Sequence, residues 1–167
     1  LQALRLHEHP NVQPRWQRLL ELDAVEPRRV VEAMKDGVRL RPISQTFKSD
    51  AVTVIRPMLP MPSIVEALAR SFFHEGKPYD FDFDFSRSDR LVCTEVVYRA
   101  YEGVGETRFE LKHRVGRLTL SAEDLLRMAI RKHVFEPVAA YAPGYTSDLV
   151  QGDMANQVLC KTVAPAD

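Results

Sequence analysis

At 167 residues, 45% of them apolar, the chain has the length of one domain and enough apolar material for a core. Its 23 basic and 23 acidic residues cancel and no basic tract stands out, which argues against a nucleic-acid or anionic-membrane surface. No apolar run approaches the ~20 residues of a bilayer span, and no signal peptide opens the sequence. The chain starts at Leu1 rather than at a methionine, so a leader lost by processing or cropping stays open. Cys93 and Cys160 lack CxxC spacing and a nearby His pair, which excludes a disulfide framework and a zinc site; whether they pair with each other is undecided.

In chain order, residues 1–28 are polar and broken by Pro10, Pro14 and Pro27, with a short helix expected over Trp16–Leu22, where Trp16, Leu19, Leu20 and Asp23 keep helical spacing. RRVVEA (28–33) and VRLRPI (38–43) read as strands, with Asp36-Gly37 supplying positive-φ turn positions between them. AVTVIRP (51–57) is β-branched and continuous and reads as a buried strand. Ser63 and Glu66 have capping-box spacing, and Ile64, Val65, Leu68, Ala69 and Phe72 continue a helix that Gly76 ends. A second helix is expected over 90–101, with Val92, Val96, Val97 and Ala100 inward. FELKH (109–113) and GRLTL (116–120) form a hairpin turning near Val115-Gly116, and Ser121 with Asp124 caps a helix reaching Lys132. VAAYA (138–142) and QVLCKTV (157–163) are further strands. The order gives an α+β fold with a mostly antiparallel sheet.

Two features invite chemistry. Asp80, Asp82 and Asp84 have the first spacings of a calcium loop, but Phe85 stands where glycine is needed and Leu91 where a bidentate Glu is needed. Their alternation instead places Phe81, Phe83 and Phe85 on a core side and the acids in water. Cys93 falls in the first turn of a helix for which Ser88 or Asp89 is the expected N-cap. Helix-start N–H groups and the dipole favour a thiolate and can stabilise an oxyanion beside it. A small buried hydrophobe is the alternative for a lone cysteine.

The run GKPYDFDF…RLVCTEVVYRAY resembles the nucleophile segment of the permuted NlpC-like papain-fold amidases of YiiX/YaeF type, through Gly76, Tyr79, Asp80, Cys93, Thr94, Glu95, Val96, Val97 and Tyr101. VVEAMKDGVRLRPI (30–43), followed by AVTVIRP, is similar to that family's strand–turn–strand with its EA…GV core. The resemblance implies a papain-like, circularly permuted NlpC-type fold, with one domain over residues 1–167 and Cys93 as nucleophile on a helix. It also implies Glu32 as the residue that orients a histidine, and Tyr79 and Asp80 on the substrate and oxyanion side. Glu95 is read as structural. No metal or organic cofactor is implied.

The histidine departs from the family pattern, which places it on an apolar strand upstream of Glu32. His7 and His9 lie in a polar, proline-bounded stretch and read as surface residues. His74 ends a helix and reads as a charge partner for its dipole. His113 suits the unpermuted order of Cys then His but would leave the EA…GV match idle. The expectation is that the family histidine precedes Leu1. The reading is a thiol amidase acting through an acyl-enzyme on an amide such as a bacterial cell-wall peptide. Lipid acyl hydrolysis or transfer, and a non-catalytic papain-fold binding module, are the alternatives. The substrate is a small peptide or acyl compound, and compartment and oligomeric state stay open.

Overall fold

The alternating run from Glu26 to Pro42 folds back on itself where Gly37 takes φ 97°. The computed structural model describes residues 5–20, 22–23 and 26–163. These fall into two compact units: residues up to Thr46 together with Pro60–Leu120, and Phe47–Leu59 together with the residues from Ser121 onward.

In the first unit, helix α1 (Trp16–Leu20) precedes β1 (Leu22–Asp23), β2 (Glu26–Met34) and β3 (Gly37–Pro42), an antiparallel sheet in that order. The helix expected to Leu22 therefore stops at Leu20, and the inward side expected of Leu19, Leu20 and Asp23 lies outside the described residues. Between β2 and β3 only Gly37 has the positive φ; Asp36 does not, so a glycine-closed turn replaces the expected pair of positive-φ residues. Short α2 (Ile43–Thr46) follows β3, and α3 (Met61–Phe73) and α4 (Cys93–Tyr101) complete the layer.

Register places Val31 opposite Leu40 and Ala33 opposite Val38. These four residues therefore share one face. Leu40 packs with Ala69 and Phe72 of α3, together with Leu6 and Val12, while Ala33 and Val38 pack with Leu91 and Val96. Helix α3 starts at Met61 with Pro62 in its first turn, so the expected Ser63/Glu66 box does not form. Proline is pre-shaped for a first turn and lacks the N–H a cap would satisfy, which moves the start ahead of Ser63. The unit ends in a hairpin of β5 (Lys112–Arg114) and β6 (Arg117–Thr119), turning on Val115 and Gly116, both at positive φ.

In the second unit, β7 (Phe135–Tyr141) lies between β4 (Val52–Pro57) and β8 (Val150–Gln151), all antiparallel. As an edge strand, β4 leaves Thr53 and Arg56 exposed, so it is half-buried rather than buried throughout. Helix α5 (Ala122–Ile130) has the Ser121/Asp124 capping box the sequence announces. QVLCKTV is not a strand: it belongs to helix α6 (Gly152–Thr162). Ala155, Val158 and Leu159, at helical spacing, pack on Ala140, and this period outweighs the β-branched content of the segment. Cys160 consequently faces solvent. Among the described residues no helix is long and apolar enough to cross a membrane.

Candidate active site

The two segments that carried the resemblance are bound to each other by backbone. The Gly76 N–H donates to the Val38 carbonyl and the Val38 N–H to the Lys77 carbonyl, each at 2.9 Å. A Cβ on Gly37 would stand 2.5 Å from the Lys77 carbonyl oxygen, so the GV pair of the hairpin is what lets this strand-like segment approach. One step on, the Leu91 N–H donates to the Pro78 carbonyl at 3.0 Å and the Asp80 N–H to the Leu91 carbonyl at 3.3 Å. Residues 76–80 thus run between β3 and Leu91 and fix the chain two residues before Cys93.

Cys93 opens α4 and is an exposed free thiol. The N-cap is Val92, in extended conformation and without a side-chain cap, in place of the expected Ser88 or Asp89. Asp89 instead pairs with Arg87 and Arg90. A helix start that no side chain caps leaves first-turn N–H groups available to an anion beside the thiol. Tyr79 packs against the Ala33–Val38–Leu91–Val96 cluster. Its phenol is pushed up by burial, then by the charge of Cys93 and of Asp80, which keeps it protonated as a donor, and its backbone pairs with Leu91, two residues before Cys93.

Asp80 is fully buried. One carboxylate oxygen accepts from the Asp82 N–H at 3.0 Å and the other from the Asp84 N–H at 2.6 Å. Its carboxylate is thus occupied in shaping residues 81–85. This is why the expected strand is absent: those residues turn, Phe85 is buried at 6%, and Phe81 and Phe83 stand 67% and 50% exposed. Asp84 binds the Ser86 N–H and hydroxyl, and Asp82 is exposed. Arg99 pins the same loop to α4, donating to the Phe85 and Arg87 carbonyls while paired with the buried Glu95. Burial pushes the Glu95 carboxyl up, and Arg99 opposes the shift.

The structure does not bring Glu32 to this cluster. Its neighbours Val31 and Ala33 face Leu91 and Val96, so strand alternation points Glu32 to the opposite face, where it meets Arg41 at 2.8 Å. The histidines also differ from expectation. His7 is half-buried against Trp16, and His9 is half-buried beside Glu66 at 3.4 Å. His74 is 8% exposed and its imidazole is pushed down to about 4 by burial, then by Lys77 and Arg99. It is neutral and cannot be the expected charge at the end of α3. His113 is exposed on β5, opposite Leu118, while Phe109 and Leu111 precede that strand. Among the described residues no histidine hydrogen-bonds to Cys93.

A thiol at the start of a helix that packs on an antiparallel sheet is the arrangement of papain-like hydrolases. The chain belongs to the permuted papain-like amidase enzymes, the YaeF/YiiX, C92 family, whose model matches residues 11–156 and so includes both bound segments. Among curated proteins and among solved structures nothing matches it. Membership makes amide hydrolysis the class of activity.

Proposed function

We propose that the protein is a cysteine-dependent amidase with Cys93 as nucleophile. The thiolate attacks an amide carbonyl carbon, and a histidine holding the thiol proton passes it to the leaving amine. The resulting thioester at Cys93 is then opened by water, which gives its proton to the same histidine, releasing the acid and restoring the thiol. The open N–H groups at the start of α4 and the protonated Tyr79 hydroxyl receive the negative charge of each tetrahedral intermediate; one such donor is worth about 3 kcal/mol of barrier. Asp80 acts through the loop it shapes. Glu32, held by Arg41 on the far face of β2, is left out of the acid–base chemistry. The observation that carries this reading is the exposed thiol at the uncapped start of α4, two residues beyond the bridge between Tyr79 and Leu91, in a chain of this family.

The test is hydrolysis of a panel of peptide anilides by the full chain, with mass spectrometry of the protein during turnover. An acyl adduct on Cys93, and loss of turnover in Cys93→Ala but not in Cys160→Ala, are expected. Turnover that survives Cys93→Ala refutes the assignment. A papain-fold binding module without catalysis is the second reading, favoured by the absence of a histidine bonded to Cys93 among the described residues. Saturable peptide binding with no turnover and no adduct would select it.

A further inference from the structure

The hairpin of β5 and β6 concentrates positive charge and breaks two local rules at its tip. Residues 111–118 hold Lys112, Arg114 and Arg117 with His113 and no acid, although the charges of the whole chain cancel. Val115 and Gly116 turn the hairpin at φ 50° and 78°. Two positive φ values in a two-residue turn are what asparagine, aspartate or glycine ordinarily supplies. A β-branched residue there is a genuine outlier. The Val115 side chain gains nothing from the fold in return. It is 102% exposed, whereas the other exposed large apolar side chains among the described residues reach at most 67%. Directly below the turn Arg114 stands opposite Arg117, and like charges facing each other across a strand pair weaken it. Arg114 donates to the Thr119 hydroxyl at 3.2 Å and Arg117 to the Asp82 carbonyl, bonds to neutral oxygens that hold both guanidiniums in place. The Asp82 carboxylate lies 3.9 Å from Arg117, an exposed pair worth little. Local rules broken without a gain inside the fold are expected at functional sites.

We infer that this hairpin docks the protein on an anionic lipid surface, with Val115 entering the boundary between headgroups and acyl chains and with Lys112, Arg114 and Arg117 lying against lipid phosphates. The occupant follows from shape and charge. A turn of two residues offers a partner protein far less than the ~800 Å² a side of a stable interface. A free phosphate would answer the arginines and leave Val115 in water. A lipid surface answers both, because it yields around an inserted apolar side chain and surrounds it with phosphates. The inference is independent of the chemistry at Cys93.

Co-sedimentation of the full chain with phosphatidylcholine vesicles, with and without phosphatidylglycerol, tests it. Binding is expected to the vesicles that hold phosphatidylglycerol, and it should weaken as sodium chloride is raised. Val115→Asn should lower the partition coefficient about tenfold, the loss of one partly inserted apolar side chain. Asparagine accepts the left-handed turn, so this variant should melt no lower than the parent, which shows that the fold is kept. Arg117→Gln should lower partitioning about fivefold, the share of one charge near the surface. Equal partitioning of the parent and Val115→Asn would reduce the effect to non-specific charge attraction and overturn the inference. Equal binding to the two kinds of vesicle, or binding to neither, would do the same. Release by inorganic phosphate at an ionic strength where sodium chloride releases nothing would make a free anion the ligand. A dimer in lipid-free solution that Val115→Asn abolishes would make a second copy of the chain the occupant. Either of these results also overturns the inference.

Discussion

His74 offers the sharpest quantitative check on the first unit. It sits at the C-terminal end of α3, with its ring against Phe73 at 5.5 Å and its Nδ1 buried without a partner. Lys77 and Arg99 both face it with positive charge, and burial is the larger cause of its lowered pKa. The folded protein therefore keeps His74 neutral down to about pH 4, whereas an unfolded histidine protonates below its ordinary value of 6.5. The sign follows from linkage: stability from this residue is complete above pH 6.5 and is lost as pH falls toward 4, because the unfolded chain binds the proton first. At about 1.4 kcal/mol per unit, the loss reaches about 2 kcal/mol by pH 5 and about 3 kcal/mol at its end. His74→Phe keeps a ring of similar size and removes both the titration and the orphaned nitrogen. Urea unfolding of parent and variant at pH 8, 6.5 and 5 isolates the term, since the other titrating groups are common to both. The variant should gain about 2 kcal/mol on the parent between pH 8 and pH 5. Parallel loss of stability in the two proteins would show that His74 is solvated and charged in the folded state, against the burial described.

Gly37→Ala should cost about 3 kcal/mol, because it adds a Cβ at 2.5 Å from a backbone carbonyl at a residue with φ 97°; a melting shift worth less than about 1 kcal/mol would mean that residues 76–78 do not lie against the hairpin. Asp80→Asn should cost about 2 kcal/mol by turning an acceptor of two backbone N–H groups into a half-donor, whereas Asp82→Asn should stay within about 0.5 kcal/mol; thermal unfolding of the pair compares them directly, and equal costs would contradict the loop geometry. Glu32→Gln weakens the Arg41 pair and should cost under about 1 kcal/mol without changing the rate of Cys93 alkylation or of anilide turnover. A selective loss of turnover would return Glu32 to the orienting role that the family pattern suggested.

Much of the local structure could be read directly from residues in chain order. The Ser121–Asp124 box and the turn glycines at 37 and 116 depend on signals within a few positions of one another, where capping and φ preferences act, whereas the helix expected over 90–101 starts at Cys93 behind an uncapped Val92. The family itself was legible for the same reason: GKPYD, CTEVV and EA…GV are short motifs in a fixed order along the chain. What local signals could not decide was which side of each element would be covered. QVLCKTV has the content of a strand, but Ala155, Val158 and Leu159 find Ala140 at a helical period, and that burial decides. Alternation over 80–85 pointed the phenylalanines inward, but Asp80, buried by Leu91 and the segment from Gly76, claims the backbone N–H groups that a strand would have used, and turns Phe81 and Phe83 out. His74 carries no local sign of its neutrality, which comes from burial and from Arg99, a residue 25 positions away. Glu32 lies in the family's place in sequence, yet α3 and α4 cover the Val31–Ala33 face and alternation sends its carboxylate to Arg41. Sequence pattern sets where elements begin, end and turn because those are short-range steric and hydrogen-bonding preferences; which face is buried, and so which side chain reaches the thiol, is set by contacts between residues far apart in the chain.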